Sequence, residues 1–171
     1  MSVGERLRSL ATLHRDALLA AGIATEAVGE YEAPRRRFLI LRPERIAPLT
    51  RAWRLGVLLI DEDGNVRAAG ATLRAHEPPP ILGYASESAR RRDAMRHAAI
   101  RGGFAEGETV HFDTALIDES VVINETGPVS LRDGELVVRW HTNTPLISAI
   151  PLARYLSERV DLLMHPPQGA T

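Results

Sequence analysis

Residues 51–75, RAWRLGVLLIDEDGNVRAAGATLRA, predict the centre of the fold. An apolar run over residues 55–60 is followed by Asp63-Gly64, a dipeptide that favours tight turns, and then by a second strand-like run. The first run is apolar at odd and even positions alike, which is typical of a strand covered on both faces. Small residues on the returning strand, Ala68 and Gly70, allow another element to approach closely. We therefore predict a hairpin around which the rest of the chain packs.

A second Asp-Gly pair, Asp133-Gly134, separates strand-like runs at residues 129–132 and 135–141. Further short strands are predicted at residues 38–41, 109–117 and 121–123. Because hairpins outnumber strand–helix–strand repeats, the predicted class is α+β, with a mainly antiparallel sheet built from the two Asp-Gly hairpins and with three main helices. The helix predicted over residues 87–101 could join one parallel pair of strands, so a mixed sheet is the alternative.

The first helix is marked at both ends. Ser2 and Glu5 have the spacing of a capping box, and Gly22 stands where a C-terminal glycine would end a helix over residues 3–21. The length of 171 residues predicts a single domain over residues 1–171. Pro166-Pro167 should stop the last helix and leave residues 165–171 as a mobile tail.

Two residue types are missing from the sequence, and their absence narrows the chemistry. There is no cysteine, so disulfides, a thiolate nucleophile and Cys-ligated metals are excluded. All 21 basic residues are arginine, so Schiff-base chemistry and the lysine of a phosphate-binding P-loop are excluded as well. We expect no cofactor and assign no metal ligands.

The charge and hydropathy of the chain limit its partners. The formal net charge is −1, which gives no strong field to hold a polyanion, so nucleic acid is disfavoured as a partner. No apolar run approaches the ~20 residues of a membrane span. We therefore expect a cytoplasmic protein without a membrane partner. The expected partners are a small-molecule ligand and, as an open alternative, a second copy of the chain.

One candidate site follows from polar residues on predicted strands. His111 and Asp113 are two positions apart and should project from the same face, as should Arg139 and His141, with Asn143 continuing that row. If these strands are neighbours, His111, Asp113 and His141 would supply a general base and its orienting carboxylate, or hold a divalent metal. Arg139 and Asn143 would then bind the ligand. The alternative is that these residues form the solvated face of an amphipathic sheet.

A second candidate site lies at the start of the helix predicted over residues 87–101. The segment GYASES, residues 83–88, leads directly into Arg90 and its neighbouring arginines. Helix N-termini favour anions, so Ser86, Ser88 and Arg90 are predicted to bind a phosphate or a carboxylate. The alternative is a solvated helix that Ser86 or Ser88 merely caps and that Gly102-Gly103 ends.

A third basic feature is the triplet Arg35-Arg36-Arg37, which precedes the apolar residues 38–41. Arginines beside an apolar strand usually protect a sheet edge against pairing with another chain. An anion site is the alternative interpretation of the same triplet.

Three classes of function remain open. The leading hypothesis is a domain that binds a small polar or anionic ligand, associates with itself, or does both. The alternative is a hydrolase that cleaves an amide, an ester or a phosphate with His111, Asp113 and His141, with or without a metal. Nucleic-acid binding through the arginine-rich second helix is the least favoured class.

Overall fold

A computed structural model describes residues 1–77, 86–141 and 143–167. The predicted α+β class is confirmed. Residues 168–171 of the predicted tail lie outside the described residues, so its mobility stays a prediction. Among the described residues, no helix is both long and apolar enough to cross a membrane.

The described residues form four α-helices where three main helices were predicted. They are α1 (Val3–Ala20), α2 (Glu87–Gly102), α3 (Glu119–Ile123) and α4 (Leu152–Met164), and a short 3-10 helix covers Leu146–Ser148. The strands are β1 (Glu26–Glu32), β2 (Arg35–Arg37), β3 (Ile40–Arg42), β4 (Arg45–Leu55), β5 (Leu58–Asp61), β6 (Val66–Ala68), β7 (Ala71–Arg74), β8 (Thr109–Phe112), β9 (Ala115–Leu116), β10 (Val129–Arg132), β11 (Glu135–Val138) and β12 (Ile150–Pro151).

The largest sheet is mixed, with the strand order β7-β8-β1-β4-β5-β6-β9. Strands β1 and β8 run parallel, whereas β7 with β8, β4 with β5, β5 with β6 and β6 with β9 are antiparallel. The sheet is therefore not purely antiparallel. Helix α2 connects β7 to β8, which pair antiparallel, so the parallel pair does not arise from the helical connection that the sequence suggested.

The chain divides into two compact units, each with its own hydrophobic core. The first unit comprises Met1–Thr25, Ala52–Ala69 and Ala115–Thr171, and the second comprises Glu26–Arg51 and Gly70–Thr114. Strand β4 contributes residues to both units. The prediction of one domain over residues 1–171 stays a prediction.

The core of the first unit is formed by large apolar side chains from α1, α4 and the strands of that unit. Trp53, Tyr155 and Leu156 are among its buried members. Helix α1 begins with the predicted capping box of Ser2 and Glu5, because each of the two side chains accepts a hydrogen bond from the backbone N–H of the other. The predicted start of α1 is therefore confirmed.

The strand predicted through residues 55–60 is interrupted, which corrects the sequence-based interpretation. Leu55 pairs with Leu58, and the chain reverses at Gly56 and Val57 between β4 and β5. Gly56 has a φ of 68°, which glycine adopts without steric cost. The apolar run thus belongs to two antiparallel strands. The sequence pattern does not show the turn between them, because Val57 is as apolar as its neighbours.

The strand predicted at residues 121–123 is a helix. Asp118 caps α3, since its Oδ1 accepts a hydrogen bond from the backbone N–H of Val121 at 2.9 Å. The β-branched run favours a strand locally, but the cap and the burial of Val122 select a helical turn.

The second unit places α2 on one face of the strands β1, β7 and β8. Its core contains Ala98 and Ala99 of α2 together with Val110 and Phe112 of β8. Small side chains on the buried face of α2 permit this close packing. Gly103 ends α2 with a φ of 100°, as the sequence predicts.

Candidate functional site: an arginine-lined cavity and a buried histidine

Residues 35–42, which we call the arginine hairpin, form a two-stranded antiparallel sheet from β2 and β3. Pro34 and Pro43 flank it, and both lack the backbone N–H that would extend the pairing. The chain reverses at Phe38, which has a φ of 56°. Residues 38–41 were predicted as one strand, so the turn inside this segment corrects that prediction.

Two arginines stand directly opposite each other at the open end of the arginine hairpin. Arg35 and Arg42 are Cα partners in the register of β2 and β3. Like charges in this cross-strand position destabilise a sheet unless an anion lies between them. Within the described ranges, the side chains of Arg35 and Arg42 make no hydrogen bond or ion pair, so both guanidinium groups can accept a ligand.

A cavity of about 240 Å³ opens beside these two side chains. Its lining belongs entirely to the second unit and contains four guanidinium groups against one carboxylate. We call it the arginine cavity, and its lining residues are Glu32, Ala33, Arg35, Arg42, Pro43, Arg45 and Arg101.

The other two arginines of the cavity are held by hydrogen bonds within the second unit. Arg45 forms a bidentate pair with Glu32, with Nε 2.6 Å from Oε2 and Nη2 3.3 Å from Oε1. Arg101 donates from Nε to the carbonyl oxygen of Glu44 at 2.7 Å and contacts Nδ1 of His97 at 3.0 Å through Nη1. These two side chains are fixed in place, whereas Arg35 and Arg42 are available.

The charge of Glu32 is set by its arginine neighbours. The hydrogen bond from Arg45 lowers the pKa of Glu32, partial desolvation opposes this, and the positive charges of Arg45 and Arg35 lower it further. Glu32 is therefore ionised at neutral pH, and it neutralises one of the four guanidinium groups. The cavity keeps a net positive charge.

A second candidate site is centred on His111, which is only 2% exposed. Nδ1 of His111 lies 2.8 Å from the hydroxyl of Thr72, its cross-strand partner on β7. Nε2 lies 2.6 Å from Oε2 of Glu26 at the start of β1. With the proton on Nε2, His111 donates to Glu26 and accepts from Thr72. The three side chains form a hydroxyl–imidazole–carboxylate chain.

Asp113 and His141, the predicted partners of His111, do not join it in this site. Strand β8 ends at Phe112, and Asp113 has a φ of 53°, so the alternation that would place His111 and Asp113 on one face is broken. His111 and Asp113 belong to the second unit, whereas His141 belongs to the first. No described hydrogen bond joins any two of these three residues. Across the described residues, no group of three or more histidine and acidic side chains is placed to hold a metal ion.

Arg139 and Asn143, the predicted ligand-binding partners of His141, also lie in the first unit. Arg139 is buried, and its Nη2 donates to the carbonyl oxygens of Glu125 at 3.0 Å and Gly127 at 3.1 Å. Arg139 therefore stabilises the loop that follows α3. His141 and Asn143 are exposed.

The second predicted site is described from Ser86 onward, and residues 83–85 of that segment lie outside the described residues. Ser86 caps α2, because its Oγ accepts a hydrogen bond from the backbone N–H of Ala89 at 3.3 Å. Its hydroxyl also lies 3.0 Å from that of Ser88. The capping prediction is confirmed, and the binding of an anion by Ser86, Ser88 and Arg90 stays a prediction.

The sequence analysis did not identify Glu26, Thr72, Arg42 or Arg101 as candidate site residues. Of these, only Arg42 had a recognisable signal, since RRRFLILR over residues 35–42 places arginines at both ends of an apolar segment. Comparisons with models of protein families, with curated proteins and with solved structures found no match to this chain.

Proposed function

We propose that the protein binds a small anionic ligand in the arginine cavity, through a phosphate or carboxylate group. The observation that carries this proposal is the register of Arg35 opposite Arg42, with neither guanidinium group in a hydrogen bond or ion pair among the described residues. An anion between them would replace repulsion by charge-assisted hydrogen bonds. Guanidinium groups suit this role because each presents a planar set of donors to two acceptor oxygens.

The size of the arginine cavity limits the ligand. Its volume of about 240 Å³ is below the range of roughly 300–1,000 Å³ that holds drug-sized molecules. The ligand is therefore a small metabolite or the charged end of a larger molecule. Arg45 and Arg101 would supply a fixed positive wall, and Arg35 and Arg42 would close on the anion.

The test is calorimetric titration with inorganic pyrophosphate and with citrate. The double variant Arg35→Ala/Arg42→Ala is expected to weaken the binding of the preferred anion by at least about tenfold, because each change removes charge-assisted hydrogen bonds. Affinity should also fall as salt is added, since the two guanidinium groups are exposed.

The matched control is Arg74→Ala/Arg92→Ala, which removes the same charge from exposed positions of the second unit outside the arginine cavity. It should keep the affinity of the unmodified protein. If neither anion binds, or if both double variants weaken binding equally, the proposal is wrong. The second of these results would indicate a general charge effect.

A second candidate function is hydrolysis of an ester or amide, favoured by the short contacts of His111 with Thr72 and Glu26. Thr72 is exposed and could attack a carbonyl carbon while His111 takes the hydroxyl proton at Nδ1. Glu26 would stabilise the imidazolium, which then protonates the leaving group, and water would hydrolyse the acyl-threonine. This proposal keeps His111 from the sequence-based hypothesis and gives it different partners.

Incubation with p-nitrophenyl acetate tests this second candidate. Intact-mass measurement should detect an acetyl adduct on Thr72 that Thr72→Val abolishes, because valine keeps the shape of the side chain and lacks the nucleophile. Thr109→Val, an isosteric change at another threonine of the same sheet, should leave the adduct in place. An adduct that persists in Thr72→Val would contradict this function, as would an unmodified protein that neither carries an adduct nor releases p-nitrophenol faster than the uncatalysed reaction.

A further inference from the structure

The turn of the arginine hairpin exposes four consecutive large apolar side chains. The exposed fractions are 91% for Phe38, 99% for Leu39, 68% for Ile40 and 65% for Leu41. None of the four belongs to either hydrophobic core. We call these residues the apolar tip. Contiguous exposed apolar surface of this kind marks an interaction site.

Arginines surround the apolar tip, and polarity changes along the axis of the hairpin. Every residue of β2 is an exposed arginine, and Arg42 closes β3. In the register, Arg35 faces Arg42 at the open end, Arg37 faces Ile40, and the turn beyond them is apolar. The whole chain has a formal net charge of −1, so this positive charge is a local feature.

We propose that the apolar tip enters the surface of an anionic lipid bilayer, with lipid phosphate groups bound by the hairpin arginines. The proposal rests on the proposed function, because Arg35 and Arg42 line the arginine cavity and a headgroup phosphate would be its anion. The apolar turn of the hairpin matches the hydrocarbon layer of a membrane surface, and the arginines towards its open end match the layer of acidic headgroups.

The dimensions of the hairpin agree with this depth of entry. Each strand has three residues, so the distance from the open end to the turn is about 10 Å at ~3.3 Å per residue. Peripheral elements enter the headgroup and acyl boundary by ~5–10 Å. The outer edges of a two-stranded sheet leave backbone groups unpaired, which excludes the dry centre of the bilayer and allows the hydrated boundary.

A second copy of the chain fits the apolar tip less well than a membrane. A symmetric contact between two tips would bring the arginines of both copies together, and like-charge contacts oppose association. The sequence-based expectation of no membrane partner depended on the lack of a spanning segment. Surface binding needs no such segment.

The test is co-sedimentation of the full chain with vesicles of phosphatidylcholine, alone or mixed with phosphatidylglycerol. The protein should sediment with the acidic vesicles and much less with the neutral ones. Phe38→Ser/Leu39→Ser should reduce partitioning by at least about tenfold, because two apolar side chains no longer enter the bilayer. Arg36→Ala and Arg37→Ala should each reduce it by about fivefold. Ile147→Ser is the control, since Ile147 is 86% exposed and belongs to the first unit.

The lack of cysteine in the chain permits a site-specific measurement of insertion. The fluorophore NBD attached to Leu39→Cys should brighten and shift to the blue with acidic vesicles. The same label on Ile147→Cys should not change. Phe38→Ser/Leu39→Ser should keep the pyrophosphate or citrate affinity of the unmodified protein, because the arginine cavity is intact.

The outcomes separate this inference from the proposed function. Anion binding without vesicle binding overturns the inference and leaves the arginine cavity as a site for a soluble ligand. Loss of both anion binding and vesicle binding overturns both the inference and the proposed function. Vesicle binding with a silent label at Leu39→Cys overturns insertion of the tip. Salt-sensitive binding to heparin in the absence of vesicle binding overturns the inference in favour of a nucleic-acid partner.

Discussion

Replacing Gly102 by alanine is expected to destabilise the protein by about 2 kcal/mol or more. A Cβ at this position would lie 1.6 Å from the carbonyl oxygen of Ile46 and 2.7 Å from its carbonyl carbon. Both atoms are backbone, and Ile46 is fully buried, so β4 or the end of α2 must move. Overpacking costs about 1–3 kcal/mol and occasionally more, and a 1.6 Å contact with buried backbone lies at the upper end of this range, so the cost outweighs the gain of about 1 kcal/mol in helix propensity.

The natural control is Gly4→Ala, since Gly4 is also helical and its nearest neighbour at 3.2 Å is Oε2 of the flexible Glu119 side chain. This change should leave the free energy of unfolding unchanged or raise it by a few tenths of a kcal/mol. Urea denaturation followed by circular dichroism measures both variants. An unchanged denaturation midpoint for Gly102→Ala would mean that the helix and the strand do not approach each other as described.

Tyr155→Phe is the second change with a large expected effect, a loss of about 2–4 kcal/mol. The buried hydroxyl donates to the carbonyl oxygen of Leu55 at 2.9 Å and accepts from the N–H of Val57 at 3.0 Å. It therefore satisfies the backbone on both sides of the turn at Gly56. Without it, the buried carbonyl oxygen of Leu55 and the partly buried N–H of Val57 each lose a hydrogen bond, and a polar group left unsatisfied costs about 1–3 kcal/mol.

Tyr31→Phe provides the comparison for this prediction. The hydroxyl of Tyr31 donates to Oε2 of Glu44 at 2.7 Å, but the residue is only partly buried, so water can replace the lost contact. We expect a loss below about 1 kcal/mol in the same denaturation measurement. Equal losses for the two tyrosines would show that the turn at Gly56 does not depend on Tyr155.

Local signals in the sequence predicted the helix ends well. The capping residues form hydrogen bonds only with groups a few positions away, so these bonds do not depend on the rest of the fold. Ser2 and Glu5 do so at the start of α1, Ser86 at the start of α2, and Gly103 at its end. The turn at Gly56 was missed because an apolar run gives the same pattern in one strand or in two. Its backbone is hydrogen-bonded by the hydroxyl of Tyr155, which is far away in the sequence.

The candidate sites depended on strand order, which the sequence does not encode in any local pattern. His111 contacts Thr72 and Glu26 because β8 lies between β7 and β1. No spacing rule connects positions that are 39 and 85 residues apart. Likewise, the pairing of Arg35 with Arg42 required a turn at Phe38 that the apolar residues 38–41 concealed.

The division of the chain into two discontinuous units has a consequence for synthesis on the ribosome. Every segment of the second unit precedes residue 115, whereas the first unit needs its third segment, Ala115–Thr171, to supply α3, α4 and β9 to β12. The second unit is therefore the first to be translated in full. The amino-terminal helix contacts β5 and β6, which are translated early, but it meets its partner α4 only after the last third of the chain has emerged, so part of its apolar stripe stays uncovered during that interval.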